Sequence, residues 1–168
     1  FQKMTSQAFT YFGDLFGREY PFEKLDHVYC PEFNVGAMEN VGLITYTERY
    51  IFLSTPTPSD LTDLAEVVFH EIAHMWFGNL VTMRWWDDLW LNESFATYAA
   101  ALCLTEGSEH TTAWQEFNVQ LKRWSLVEDD SPTTHPIAGT VADTDQTFLN
   151  FDGITYGKGG AVLKQLGA

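Results

Sequence analysis

"HEIAH", residues 70–74, is the stretch on which the reading of this sequence turns. Positions four apart on a helix are separated by about 400°, so His70 and His74 point the same way from adjacent turns. Two imidazoles so placed can share one ion at the ~2.0–2.1 Å of a zinc–nitrogen bond. Glu71 is rotated about 100° from the first histidine, which suits a base acting on water rather than a ligand. Two ordinary helical histidines are the bland alternative. By average composition a chance HExxH in a chain this long arises on the order of once in a few hundred sequences.

A third ligand lies downstream. Glu93, in "LNESFATY", follows His74 after eighteen intervening residues, near the start of the next helix. Two histidines and one glutamate make a catalytic type of zinc site, whereas a structural zinc wants four protein ligands, usually with cysteine. Cys30 and Cys103 fit no metal spacing and sit in apolar contexts, so both are expected as free thiols. One zinc ion and hydrolysis of an amide bond are the expectations. Thr97, one turn after Glu93, is a plausible neighbour of the ligands, although small-residue packing explains it equally well.

The elements around the motif follow from spacing. Met4, Ala8, Phe9, Phe12, Leu15 and Phe16 recur at helical intervals, and Gly17 stops them. Residues 25–30 and 41–53 read as strands, and "STPTPSD" (54–60) as a turn that supplies helix caps. A helix is expected over about 60–77, with Leu61, Leu64, Val68, Ile72 and Met75 as its apolar stripe and Gly78 at its end. Further helices are expected over 92–104 and through Trp114, Phe117, Leu121 and Trp124 on one buried face, and a last one from about Ile154. Trp76, Trp85, Trp86 and Trp90 read as core around the site. His27, His110 and His135 read as strand, surface or loop residues, and Lys158 as structural. A helix, a few strands and then mostly helices make an α+β chain.

Bulk composition narrows the partners. With 168 residues, 45% of them hydrophobic, the chain can bury one sizeable core. A formal net charge of −14 repels phosphate backbones, so nucleic acid is set aside. No run of eighteen apolar residues exists, so no membrane span is expected. The chain starts at Phe1 with no signal-peptide pattern and stops at "LKQLGA", so truncation at both ends of a larger fold is expected. Nothing in it is an address, and the cytoplasm is only a default.

One segment resists a purely structural reading. "FNVGAMENVG", residues 33–42, carries a single carboxylate, Glu39, among apolar residues and two glycines. With "GAMEN" (36–40), "HEIAHMWFGNLVTMRWWDDLWLNESFA" (70–96) and "FDGITYGKG" (151–159), the sequence resembles the zinc aminopeptidases typified by aminopeptidase N, in the gluzincin clan. The resemblance covers nearly the whole chain in the family's order. It implies a partial, thermolysin-like catalytic domain over residues 1–168, without the family's preceding β-rich and following helical domains. It also implies that His70, His74 and Glu93 bind zinc, that Glu71 is the general base, and that Tyr156 hydrogen-bonds the oxyanion. A neutral phenol can do so because it keeps its hydrogen at neutral pH. Glu39 would bind the substrate's free α-amine, Gly36 and Ala37 would lie along its backbone, and Val35 would border the pocket for its first side chain.

The implied activity is release of single residues from peptides with a free N-terminal amine. A thermolysin-like endopeptidase shares the zinc motif but lacks the amine anchor, and "GAMEN" speaks against it. A leukotriene A4 hydrolase-like enzyme is disfavoured by Ala37, where that subgroup usually has glycine. A non-catalytic zinc-binding fragment is the alternative from another class.

Overall fold

The computed structural model describes residues 1–167. Helix α1 (Gln2–Phe16) ends in a left-handed Gly17, φ 62°, whose amide bonds back to Asp14 while that of Arg18 bonds to Gly13. Those two bonds satisfy carbonyls that the helix end would otherwise orphan. Three strands follow: β1 (Asp26–Cys30), β2 (Ala37–Met38) and β3 (Leu43–Thr47). They form one sheet in the order β1-β3-β2, with β1 parallel and β2 antiparallel to β3. Ile44 and Tyr46 of the central strand are completely buried and face the helices.

The expected strand over 41–53 is shorter in fact. It stops at Thr47, and a 3₁₀ turn (Glu48–Tyr50) swings Tyr50 into the core, 7% exposed, with the Arg49 guanidinium 4.7 Å over its ring. That cation–π contact and the burial of a large ring outweigh continued pairing on a short sheet.

Helix α2 (Pro58–Ala73) is started by a capping box. Asp60 N–H donates to the Thr57 hydroxyl, and Thr57 N–H donates to the Asp60 carboxylate. Losing such a cap costs about 1 kcal/mol. The helix ends four residues earlier than expected, with His74 as its C-cap, and Leu61 is 38% exposed rather than part of the apolar stripe. Apolar burial begins at Leu64 and includes Ala65, Val68, Phe69 and Ile72, because α2 has neighbours on several sides: α1, β2 and α3. Helix α3 (Leu89–Gly107) is buried nearly all round, through Ala96, Ala99, Ala100, Cys103 and Leu104, which is how a central helix reads.

Glu66 is the misfit on α2. It is half-buried, and that burial, with Asp63 and Glu116 nearby, pushes its carboxyl up to about 7. An unfolded glutamate titrates near ~4.3, so between about pH 4.3 and 7 the folded protein holds the proton more strongly than the unfolded chain. Stability contributed there falls as pH rises through that window. Glu66→Gln is therefore expected to raise Tm at pH 8 and to change it little at pH 4. Equal shifts at both pH values in thermal melts would contradict this.

The expected third helix is two helices, α4 (Ala113–Phe117) and α5 (Arg123–Asp129), joined by a π-helical turn over Asn118–Lys122. A π turn holds one more residue than an α turn, so the pattern beyond it is rotated. Ser125 is consequently buried, whereas Trp124 is 39% exposed. A short helix absent from the expectations, α6 (Thr144–Leu149), is capped by Asp143. The last expected helix begins as a second π turn, Ile154–Lys158, and continues as α7 (Gly159–Leu166).

Of the four tryptophans expected in the core, only Trp76 is buried. Its indole N–H donates to the Arg18 carbonyl at 2.9 Å. Trp86 and Trp90 are half-buried, and Trp85 is 47% exposed, its indole N–H bonded to the Val141 carbonyl. An acceptor for the indole N–H lets Trp85 stay at the surface, as it does Trp90, which donates to Asp88 Oδ1 at 3.3 Å. Cys30 and Cys103 are free thiols, as expected. The chain is α+β, and no helix among the described residues is long and apolar enough to cross a membrane.

Candidate metal centre

Three elements build the centre. The end of α2 carries His70, Glu71 and His74, the first turns of α3 carry Glu93, and the π turn before α7 carries Tyr156. His70 Nε2 lies 3.0 Å from His74 Nε2 and 3.2 Å from Glu93 Oε2, and His74 Nε2 lies 3.4 Å from the same oxygen. Four ligands around a tetrahedral zinc with bonds of ~2.0–2.1 Å stand about 3.3 Å apart, so these separations fit such an ion. Two neutral nitrogens and one carboxylate are also a donor set that zinc accepts.

A second observation supports the fit. Glu71 is 6% exposed, and its Oε2 has no hydrogen-bond partner among the described residues. A buried, unsatisfied carboxylate oxygen is costly unless the site is built to receive something there. Ligand atoms of Glu39, Glu71 and His74 also lie within 4.8 Å of one another. Three carboxylates are thus gathered around two imidazoles, an arrangement that favours a cation.

The electrostatics follow. Burial pushes the Glu71 carboxyl well above the usual carboxylate range; His74 opposes this, and Glu39 and Glu93 reinforce it. Burial alone would lower His74, but Glu93, Glu39 and Glu71 outweigh it and lift the imidazole to about 10. Burial would raise Glu93, yet His74 and the hydrogen bonds from both imidazoles hold it well below its ordinary value. His70 is lowered by burial, against a hydrogen bond with Glu93.

Neighbours hold the two imidazoles in place. Thr97, fully buried on α3, sets its hydroxyl 3.4 Å from His70 Nδ1, a long contact. His74 Nδ1 meets the Phe77 carbonyl at 3.1 Å and the Asn92 amide oxygen at 3.0 Å. The Tyr156 ring stacks on His70 at 5.9 Å between centroids and on Trp124 at 6.1 Å. Burial, with Glu93 and Glu71 close by, keeps its phenol well above its usual range and therefore protonated.

The remaining residues named from the sequence lie on or beside β2. Glu39 follows Met38, and its backbone carbonyl accepts from Asn79 Nδ2 at 2.8 Å. Gly36 O accepts from Thr47 N–H at 3.0 Å, so this segment runs extended along β3. A Cβ added at Gly36 would meet nothing closer than the far end of Arg49 at 3.6 Å. The fold itself does not require glycine there. Ala37 is half-buried, and Val35 is 50% exposed.

His27 bonds to the Tyr46 hydroxyl and His110 to the Thr62 hydroxyl, each at 2.9 Å and neither at the centre. His135 is a loop residue with a definite partner: its Nε2 meets Asp152 Oδ2 at 2.8 Å. The other oxygen of Asp152 accepts from the amides of Ile154 and Thr155, 3.0 Å each, and so caps the turn that carries Tyr156. Lys158 pairs with Asp129 at 2.7 Å.

Sequence reasoning passed over Asn79, Asn92 and Asp152. Asn92 had a signal, since "LWLNE" sets an amide among large apolar residues directly before Glu93. A polar side chain in such a run must find partners when buried.

Comparison with known proteins gives the chain a family. The sequence matches the family described as the Peptidase family M1 domain over residues 2–168. It is 50% identical to an aminopeptidase N of Streptomyces lividans over 166 residues, covering 98% of this chain and 19% of that protein. A glutamyl aminopeptidase of Bos taurus is 40% identical over 173 residues, covering 97% of this chain and 17% of that protein. Mitochondrial aminopeptidase 2 of Saccharomyces cerevisiae is 39% identical over 165 residues, again 97% of this chain and 17% of that protein. The chain thus spans less than a fifth of the length of these relatives. With a family match over all but its first residue and these identities, the chain belongs to peptidase family M1.

Proposed function

We propose that the chain is part of the catalytic domain of a zinc-dependent aminopeptidase that releases single N-terminal residues from peptides. The observation that carries this reading is the convergence of His70 Nε2, His74 Nε2 and Glu93 Oε2 within 3.0–3.4 Å beside the unpartnered oxygen of Glu71. Residues 1–168 form a partial, thermolysin-like gluzincin core, and flanking β-rich and helical domains complete it in the whole protein. His70, His74 and Glu93 hold one zinc ion. When bound, zinc acts as a Lewis acid that brings the pKa of water towards ~7 and polarises a carbonyl.

The chain's own residues do the rest. Glu71 takes a proton from the attacking water and delivers it to the departing amide nitrogen. Its raised proton affinity suits a group that must both accept and release that proton. Tyr156, held against His70, donates its phenolic hydrogen to the carbonyl oxygen as negative charge develops there. Glu39 binds the substrate's ammonium group, Gly36 and Ala37 lie along its backbone, and Val35 borders the pocket for its first side chain.

Proximity supports an exopeptidase: Glu39 offers a carboxylate oxygen within 4.8 Å of ligand atoms of Glu71 and His74, so an amine bound by Glu39 stands beside the metal site.

The test is cleavage of aminoacyl anilides beside their N-acetylated forms, in the intact protein with metal content measured. Free-amine substrates are expected to be cleaved and acetylated ones refused. Equal hydrolysis of both would overturn the exopeptidase reading, and one bound zinc with no hydrolysis would favour a non-catalytic role. Glu39→Ala is expected to lower kcat/KM for the free amine by about 10–100-fold, the size of one lost hydrogen bond to a charged group, with zinc stoichiometry unchanged.

A further inference from the structure

We propose that Asn92 is a positioning residue that ties the amine-binding carboxylate Glu39 to the metal ligand His74. One side chain then sets both metal affinity and the demand for a free amine. The inference rests on the aminopeptidase reading for its second half only.

Asn92 stands at the start of α3, 8% exposed, one residue before Glu93. Its Oδ1 lies 3.0 Å from His74 Nδ1, and its Nδ2 lies 3.4 Å from Glu39 Oε1 and 3.5 Å from Glu93 Oε1. Only one orientation of the amide is satisfied. Carboxylates accept hydrogen bonds and cannot donate them, so the NH₂ must face Glu39 and Glu93. The amide oxygen then faces His74 and accepts its Nδ1 hydrogen. That fixes which nitrogen can serve a metal: Nδ1 donates, shared between Asn92 and the Phe77 carbonyl, so with a cation bound it is Nε2 that would lose its proton and offer its lone pair to the ion.

The contact has an independent structural condition at Gly78. This residue has φ 133°, a conformation open to glycine. A Cβ on it would fall 2.3 Å from Asn92 Oδ1 and 3.1 Å from His74 Nδ1. The turn after α2 is shaped so that the amide can reach the imidazole. Glu39 is meanwhile held twice, at its carboxylate by Asn92 and at its backbone carbonyl by Asn79 from that same turn. Asn92 therefore joins the strand that measures the substrate to the helix that holds the ion.

The two halves of the amide separate the roles. In the intact zinc-loaded protein, Asn92→Leu is expected to weaken zinc by about 10–100-fold in chelator competition, because His74 loses the side-chain acceptor that fixes its ring and keeps only the Phe77 carbonyl. It is also expected to lower the preference for a free-amine over an N-acetylated anilide by about tenfold or more. Asn92→Asp keeps an acceptor for His74 but turns a carboxylate oxygen on Glu39. Its zinc affinity should stay within about threefold of the unsubstituted protein or tighten, while the amine preference falls as in Asn92→Leu. Should Asn92→Leu not fold, Asn92→Asp decides, since it has nearly the same shape. Unchanged zinc affinity in Asn92→Leu, or an unchanged amine preference in Asn92→Asp, would overturn the proposal. Failure of the unsubstituted protein to cleave any anilide would overturn the aminopeptidase reading instead, and the zinc titration would still judge the His74 contact.

Discussion

Glu71→Gln is expected to retain one zinc per chain and to lose about 10²–10⁴-fold in kcat, the usual worth of a positioned general base. The substitution keeps the shape of the side chain and removes only its ability to take a proton. In the structure Glu71 lies beside His74 and Glu39, with one buried oxygen that has no hydrogen-bond partner among the described residues. Its carboxyl is held above the usual range by burial and by Glu39 and Glu93. The variant also removes one negative charge from a crowded group of carboxylates, so the fold should be no less stable. Metal analysis and single-turnover kinetics check it together. If zinc were lost along with activity, Glu71 would have to be counted among the ligands.

Tyr156→Phe carries the second large effect, about 10²–10³-fold in kcat, as for removal of one donor to a developing oxyanion. The ring would remain stacked between His70 and Trp124, so substrate binding should change little and KM should hold. An equal loss in kcat and kcat/KM is the signature of a contact made only in the transition state. A rise in KM at constant kcat would assign Tyr156 to binding instead.

Much of the centre was legible because its spacing is a helical argument. HEIAH needs only an α-helix to bring two imidazoles together, and α2 supplies it. Glu93 was named from its residue type and its place eighteen residues past His74, near the start of a helix, but its short distance to that pair depends on how α3 packs on α2, which spacing alone does not fix. Tyr156 was less legible still. It sits on a π turn, and no periodicity in "GITYGKG" announces an extra residue. The same reason explains Trp124, placed on a buried face by regular α-helical counting and found at the surface once a π turn intervened. The polar supports escaped notice because an asparagine beside a ligand looks like any other until its partners are seen. Glu39 was visible as an oddity, a charge in an apolar run, but its neighbours Asn79 and Asn92 come from elements 40 and 53 positions away.

The two π turns pack directly on one another. A Cβ on Gly157 would lie 2.3 Å from the carbonyl oxygen of Leu121, and a Cβ on Gly153 would lie 2.9 Å from the backbone of Ser125. Each turn amounts to one residue added to a helix. Removing a single residue from 118–122 would restore regular winding and rotate all that follows by about 100°. Trp124 would leave the face of Tyr156, although no residue touching the substrate had been altered. This part of the chain should therefore tolerate exchanges of side chain on its outer surface far better than any change in length. Its working parts are counted out along the backbone, and an insertion or deletion there would be felt as a change of chemistry.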